Sequence, residues 1–289
     1  MCCLRFNDII YNNKRLSDFG FIVTRIGSVN ENNNSLGVSR EIIGSELNVI
    51  RDKRNIFGVK YVEPLKLPLF IIKNPCENNS QTSSKITLDE LRSLLSWLTS
   101  PKSSKKMILE TDEYSYREYY GLFTTIEPYD IDELYGITVT FECLNPYGFE
   151  LFHNKYKCEN EKEIILNLNS DEEYKYVYPI IDIELNNTDE FSITNTSDNN
   201  KTMSFKFNKQ YNKIQINCEN QRIIADGELL SLYDVCNSIN ELTDYNNVGT
   251  GIFDMYWLRL LPFNNRLKIN GNCICNITYR VPVKAGGYY

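Results

Sequence analysis

One sustained helical period in a chain of 289 residues limits what this sequence can fold into. Leu88, Leu91, Leu95 and Leu98 recur three or four residues apart and Leu94 broadens their face, which predicts an amphipathic helix over residues 88–98. Thr87 is placed to cap it, with Glu90 as the reciprocal partner three residues on, and Pro101 stops it. A lone amphipathic helix must lay its apolar stripe on a sheet.

Sheet is what the rest of the chain offers. Residues 20–26, 38–50, 56–63 and 67–72 precede the helix as strand-like runs, and 106–110, 116–126 and 136–144 follow it. The 20 Tyr and 14 Phe favour half-buried pleated strands over helix bundles. Residues 28–36 (SVNENNNSL) and 74–84 (NPCENNSQTSS) are too polar to pack and read as surface loops. Pro64 and Pro68 flank residues 65–67 and argue for a bend or an edge there, because proline donates no ladder hydrogen bond.

The phrase NPYGF at 145–149 ends the seventh run with a turn, and the charge-dense residues 155–163 follow it, which places a domain boundary near residue 150. Two domains, 1–150 and 151–289, suit this length. Beyond the boundary, residues 163–168, 178–185, 190–195, 203–207, 213–218 and 222–225 are short apolar runs parted by Asn, Asp, Ser and Gly, a spacing that favours a sandwich. A loop over 237–251 precedes closing strands at 256–261, 266–269 and 272–279, with Asn270 and Gly271 as a tight-hairpin signal between the last two.

Chemistry-bearing residues are sparse. The only histidine, His153, lies in the stretch between the two domains, and no Ser, Cys or acidic residue around it forms a nucleophile motif. Asp130, Asp132 and Glu133 lack the glycine and distal Glu of a calcium loop, and Gly249 and Gly251 lack the Lys-Ser/Thr of a phosphate loop, so both read as turns or solvated loops. Nine cysteines at irregular spacing form neither a disulfide framework nor a zinc site. Cys273 and Cys275, two apart in a strand, point to one face and read as packing. Trp97 in the helix and Trp257 near the closing strands read as core. No catalytic residue, cofactor or metal is therefore predicted.

The net charge of −7 is spread evenly, with 17 basic against 20 acidic residues up to Glu150 and 14 against 18 after it. Neither half is a grip for nucleic acid. No apolar run reaches eighteen residues and MCCLRFNDII has no apolar core behind a basic region, so neither export by a signal peptide nor a membrane span is expected.

Several phrases, in one order, carry a resemblance. Phe6-Asn7 and LSDFGF at 16–21 open the chain, followed by LDELRSLLSWLT at 88–99, MILETDEYSYREYY at 107–120 and FECLNPYGF at 141–149. YPIIDIELNN at 178–187, DEFSITNTS at 189–197 and NRLKINGNCICNITYR at 265–280 continue the series. In this order the chain resembles the distal tail proteins of siphophages along essentially its whole length. One departure stands at 40–55, REIIGSELNVIRDKRN, where many members carry a glycine-rich turn with an Arg and Gly44 is the only glycine here.

The resemblance implies a mainly β protein with no enzymatic activity. Its N-terminal β-sandwich with one α-helix would be similar to tail-tube subunits, and its C-terminal sandwich galectin-like or of jelly-roll type. It further implies a hexameric ring at the tail tip or baseplate, joining the tail-tube protein to the tail-associated hub protein. The tape-measure protein and then DNA would pass through the lumen without specific binding. Such a protein belongs to the virion of a siphovirus or prophage particle assembled in the host cytoplasm, with no membrane contact. The region 38–63, interrupted by RDKRN at 51–55, is expected either as an arm reaching a neighbour or as a hairpin folded back on its own domain. A carbohydrate-binding or receptor-binding accessory role is the alternative, and would show as a row of aromatics on one sheet face or in a loop cleft.

Overall fold

The computed structural model describes residues 8–26, 40–44, 56–75, 85–110, 117–130, 134–173, 175–207, 209–231, 235 and 256–284. The chain packs as two compact units, Met1–Glu150 with Val283–Tyr289, and Leu151–Pro282. Both are built on antiparallel strands, and the one α-helix among the described residues lies in the first.

In the first unit, β1 (Asp8–Tyr11) and β2 (Lys14–Arg15) form a hairpin through Asn12 and Asn13, which both take positive φ, 48° and 63°. A single 3-10 turn then leads into β3 (Phe21–Ile26). Next come β4 (Arg40–Gly44), β5 (Ile56–Tyr61) and β6 (Lys66–Lys73), the helix α1 (Leu88–Thr99), and β7 (Lys105–Glu110), β8 (Arg117–Asp130) and β9 (Leu134–Cys143). Two layers share β8. Its first residues pair with β7, which pairs with β1, while the strand continues along β9, which pairs with β6 and through it with β3. A bulge between Phe123 and Thr125 falls just after β8 leaves β7, the device by which one strand serves two sheets. Between the layers, Leu69, Ile71, Phe123, Val139 and Phe141 meet Tyr11, Met107 and Tyr119.

The helix covers one side of this core. Both arms of its capping box are made, with the Glu90 amide donating to Thr87 Oγ1 at 3.3 Å and the Thr87 amide to Glu90 Oε2 at 2.9 Å. The buried stripe is rotated from the leucine repeat. Leu94, Trp97 and Leu98 are buried and Leu91 packs partly, whereas Leu88 stands 83% exposed. Trp97 is the cause: its indole stacks on Phe19 and donates to the Tyr11 carbonyl at 3.0 Å, so the largest side chain sets which face turns inward.

Pro68 does lie within a strand, β6, where it pairs with Thr140 of β9. Among the described residues the ladder to β3 reaches only Leu69, one residue later, so β6 is locally an edge where the proline sits.

Two readings of the sequence are corrected. The charge-dense residues after NPYGF are not a linker; β10 runs without a break over Gly148–Cys158. Lys155 and Lys157 are exposed while Cys158 is buried, so the charge occupies the solvent positions of a strand. Asn270 and Gly271 do not close a tight hairpin either. β18 (Asn264–Asn270) pairs with β11 (Glu161–Asn167) and β13 (Glu190–Asn195), whereas β19 (Cys273–Val283) pairs with β12 (Ile180–Leu185) in the other sheet. Gly271, at φ 134°, turns the chain from one sheet to the other while its amide donates to the Asn160 carbonyl at 2.8 Å.

The second unit is thus a sandwich. One sheet runs β11-β18-β13-β14, with β14 at Lys201–Lys206. The other contains β19, β12, β15 (Ile214–Asn217), β16 (Arg222–Ala225) and β17 (Glu228–Leu230) in that order. Phe191, Ile193, Phe205 and Ile269 face Ile181, Ile183, Ile216 and Cys275 across the core, with Trp257 alongside.

A polar knot holds residues 256–263 to this sandwich. Arg259 binds Asp198 through Nε at 2.7 Å and Nη2 at 3.1 Å, the Tyr256 hydroxyl donates to the same carboxylate at 3.1 Å, and the guanidinium lies 4.0 Å over the Tyr176 ring. The Arg259 pairing holds the Asp198 carboxyl below its usual range. A carboxyl depressed in the folded state contributes stability above its unfolded value, near 3.9, and loses it as pH falls through the folded value. Melting followed from neutral pH to acid is therefore expected to show the gap between wild type and Asp198→Asn closing below about pH 4.

Candidate functional site

The residues that stand out in this molecule are apolar and on the surface. Among the described residues β4 and β5 pair with each other as a two-stranded sheet. β-branched and aromatic residues make both strands, but neither buries a face: Ile42, Ile43, Ile56, Phe57, Val59 and the adjacent Val62 are all exposed, Phe57 to 73%. None belongs to the core of the first unit. A two-stranded ribbon is marginal in water alone, and six such side chains in so short a segment form the kind of patch that a protein partner covers. Of the two expectations for 38–63, the described residues show a hairpin that is not packed into its own core, while the RDKRN turn at 51–55 lies outside them.

A second feature lies in the sheet β3-β6-β9-β8. Among the described residues β3 pairs only with β6, and residues 122–130 of β8 pair only with β9. Among the described residues the sheet thus ends in two open backbone edges.

The residues singled out in the sequence for chemistry are not brought together. His153 lies on β10 with Nδ1 2.9 Å from Thr278 Oγ1. Asp130 ends β8, while Asp132, Glu133, Gly249 and Gly251 lie outside the described residues. Trp97 and Trp257 are buried, and Cys273 and Cys275 point into the second core with Cys158. Burial pushes the Cys143, Cys218 and Cys273 thiols up to about 12, away from the thiolate that reacts or ligates. Cys2, Cys3, Cys76 and Cys236 lie outside the described residues. No group of His, Cys, Asp and Glu among the described residues is arranged to hold a metal ion.

A groove of about 480 Å³ crosses the outer face of the second unit's sheet, lined by Asp182, Gln215, Ile224, Asp226 and Asn276 among others. No aromatic ring lines it, so it lacks the stacking platform that a sugar-binding face would present. The strand ribbon is half legible in the sequence, and the open edges are not. The ribbon's apolar pattern is visible, but whether a strand is covered depends on its neighbours in space.

Comparison with known proteins follows the same two-part division. Residues 4–145 match the phage tail protein N-terminal domain, and residues 147–279 match the phage tail C-terminal domain. No curated protein sequence matches the chain. Among solved structures it is similar to the Dit protein (gp 19.1) of phage SPP1, described as a paradigm of the hub adsorption apparatus in phages infecting Gram-positive hosts. The TM-score is 0.62 at 13% identity, over 96% of this chain and 99% of that one. A chain of the phage P2 baseplate in its activated conformation with calcium is similar with a TM-score of 0.50 at 10% identity, over 95% of this chain and 97% of that one. Likeness at these identities is a likeness of fold, and it extends over nearly the full length of each chain.

Proposed function

The chain belongs to the phage tail protein family, and from that premise we propose that it is the distal tail subunit of a long-tailed phage or related prophage particle. Six copies close into a ring at the tail tip, with the tail-tube protein on one side and the tail-associated hub protein on the other. Residues 1–150 form the ring and residues 151–289 its periphery. The tape-measure protein, and later DNA, pass through the lumen. The role is structural and calls for no catalysis, cofactor or metal. Assembly takes place in the host cytoplasm and the product is a part of the virion.

One observation carries this reading: among the described residues the sheet β3-β6-β9-β8 has an open edge at β3 and another along residues 122–130 of β8. Unlike edges at opposite ends of one sheet let each copy join the next head to tail, and a rotation that closes gives a ring with no edge left over. The sheet face away from the core also suits a passage for DNA. It presents Thr138, Thr140 and Glu142, and Lys66 stands directly across from Glu142, so its charge is opposed where phosphate would otherwise be held.

Breaking one edge tests the ring. Thr24 lies on β3 where its register against β6 shifts, and Thr24→Pro distorts the strand that offers this edge. The expected result is loss of rings in negative-stain images while the circular dichroism of the folded protein persists. Rings formed by the variant at the wild-type protein concentration would count against pairing through that edge.

A further inference from the structure

Cys158, Cys273 and Cys275 are free thiols that share the core of the second unit. β10 and β19 are neighbours in one sheet, and contacts along them fix their register. His153 Nδ1 lies 2.9 Å from Thr278 Oγ1, and Phe152 stacks on Tyr279 with ring centroids 5.3 Å apart. At the other end the Gly271 amide donates to the Asn160 carbonyl at 2.8 Å. Each step forward on β10 is therefore a step back on β19, and the same register at both ends sets Cys158 directly across from Cys273. Cys158 ends β10, Cys273 begins β19, and both side chains are buried in the same core. Opposed residues of an antiparallel pair hold their Cα atoms about 4.5–5.5 Å apart, a span that a disulfide bridges. Cys275, on the same face of β19, stands across from Tyr156 in this register and has no thiol opposite it on β10.

We propose that Cys158 and Cys273 form a latent cross-strand disulfide, closed by exchange with a small-molecule disulfide, which staples the corner where the chain crosses between the two sheets of the sandwich. Two crossings lie together there: β10 passes into β11 through residues 159–160, and β18 into β19 through residues 271–272. The Cys158 thiol donates to the Ile269 carbonyl at 3.4 Å, which holds its sulfur at this corner. Glu159, Asn160 and Asn272 are exposed, so each thiol is one residue away from a solvated turn. Burial raises both thiols and keeps them unreactive while the corner is closed; fraying of the turns frees them. Cys158 is the better attacker, because the Lys162 ammonium, which donates to the Lys157 carbonyl at 3.1 Å, favours its thiolate. That thiolate attacks one sulfur of the small disulfide and expels a thiolate, and the Cys273 thiolate then attacks the Cys158 sulfur and expels the second. The two protein thiols lose two electrons and two protons, and the small disulfide takes them up to become two thiols. A reducing cytosol keeps the pair open and an oxidising medium closes it. Closure on release from the host rests on the virion reading above, whereas the pairing itself does not.

The purified full-length chain, fully reduced and then incubated with oxidised glutathione, provides the test. Proteolysis is expected to yield a product that joins the peptide of Cys158 to that of Cys273, with fragmentation placing the bond at Cys273 and not at Cys275. Melting of the second unit should rise by about 10 °C, because the bond closes a long loop, and a dithiol reductant should reverse the rise. Cys273→Ala is expected to abolish the rise and Cys275→Ala to keep it; the peptide map of the wild-type chain depends on neither variant. Cys158 and Cys273 recovered as free thiols or as separate glutathione adducts, or a bond from Cys158 to Cys275, would overturn the pairing. A Cys158–Cys273 product with unchanged melting would overturn the staple.

Discussion

Replacing Asn265 with leucine is expected to destabilise the second unit by about 3–5 kcal/mol, the cost of stranding several buried polar groups at once. Asn265 and Asn195 are both fully buried in the sandwich. Asn265 Oδ1 accepts from the Leu261 amide at 2.7 Å and from Asn195 Nδ2 at 3.0 Å, while its Nδ2 donates to the carbonyls of Leu261 at 2.9 Å and Phe263 at 3.0 Å. Asn195 completes the network by donating to the Arg259 carbonyl at 2.9 Å and accepting from the Ser197 amide at 3.1 Å. Two amides thus satisfy the backbone of an irregular segment otherwise tied by its bridge from Leu260 to Val177 and by the Pro262 and Phe263 carbonyls, which accept from the Ser170 and Leu168 amides. Leucine keeps the branched shape and heavy-atom count of asparagine but is bulkier and offers no partner to these groups, so the loss is chiefly in hydrogen bonding with some overpacking added. Calorimetry should show the transition of the second unit lowered by about 10 °C. A control, Asn270→Ala, removes a half-exposed amide whose one contact is a 3.3 Å bond to Ser192 Oγ, and is expected to cost under about 1 kcal/mol.

A comparable loss is expected in the first unit from Gly121→Ala. Gly121 sits where β8 pairs with β7 and β9 together, across from Lys105 on one side and Cys143 on the other. A Cβ built there would overlap the backbone carbonyl of Glu142, which belongs to the ladder and cannot turn aside as a side chain would. The strands would have to separate at the point where β8 passes from one layer to the other. The expected cost is about 3 kcal/mol, the upper end of what overpacking does. Faster amide exchange in β8 and β9, with β12 and β19 unaffected, would mark the damage as local. Gly58→Ala is the matching control, since a Cβ at that position meets nothing within 4 Å.

Much of the fold could be read from local chemistry. The cap at Thr87 and most of the strand runs rest on side-chain patterns that the neighbours in sequence suffice to define, and they emerge in place, whereas the run expected as a strand at 256–261 is irregular, with one bridge at Leu260, because its backbone is held by side chains and not by a ladder. What local pattern could not give is the assignment of strands to layers. Asn270 and Gly271 look like a hairpin turn because the flanking runs are apolar and alternate, yet those runs belong to opposite sheets; the choice is made by β11, β12 and β13, far away in sequence. Asp226 and Gly227, with φ of 48° and 90°, do close a two-residue hairpin between β16 and β17, and this Asp-Gly pair was a usable signal. β10 was hidden because its solvent positions carry Lys155 and Lys157, and charge on an exposed strand face resembles charge in a linker.

The candidate site had a different limit. The apolar character of Ile42, Ile43, Phe57 and Val59 is plain in the sequence and would suit a buried strand as well as an exposed one. Only the three-dimensional arrangement shows that nothing in the chain's own cores takes them up. The open edges of β3 and β8 are invisible in the sequence for the same reason, since an edge is defined by the strand that is not beside it.

Native mass spectrometry of the purified full-length chain tests the central claim most directly. A species at six times the 33.7 kDa chain mass, seen as closed six-fold rings in the electron microscope, is the predicted result. A folded monomer at every concentration, remaining so when the tube and hub proteins are added, would contradict it.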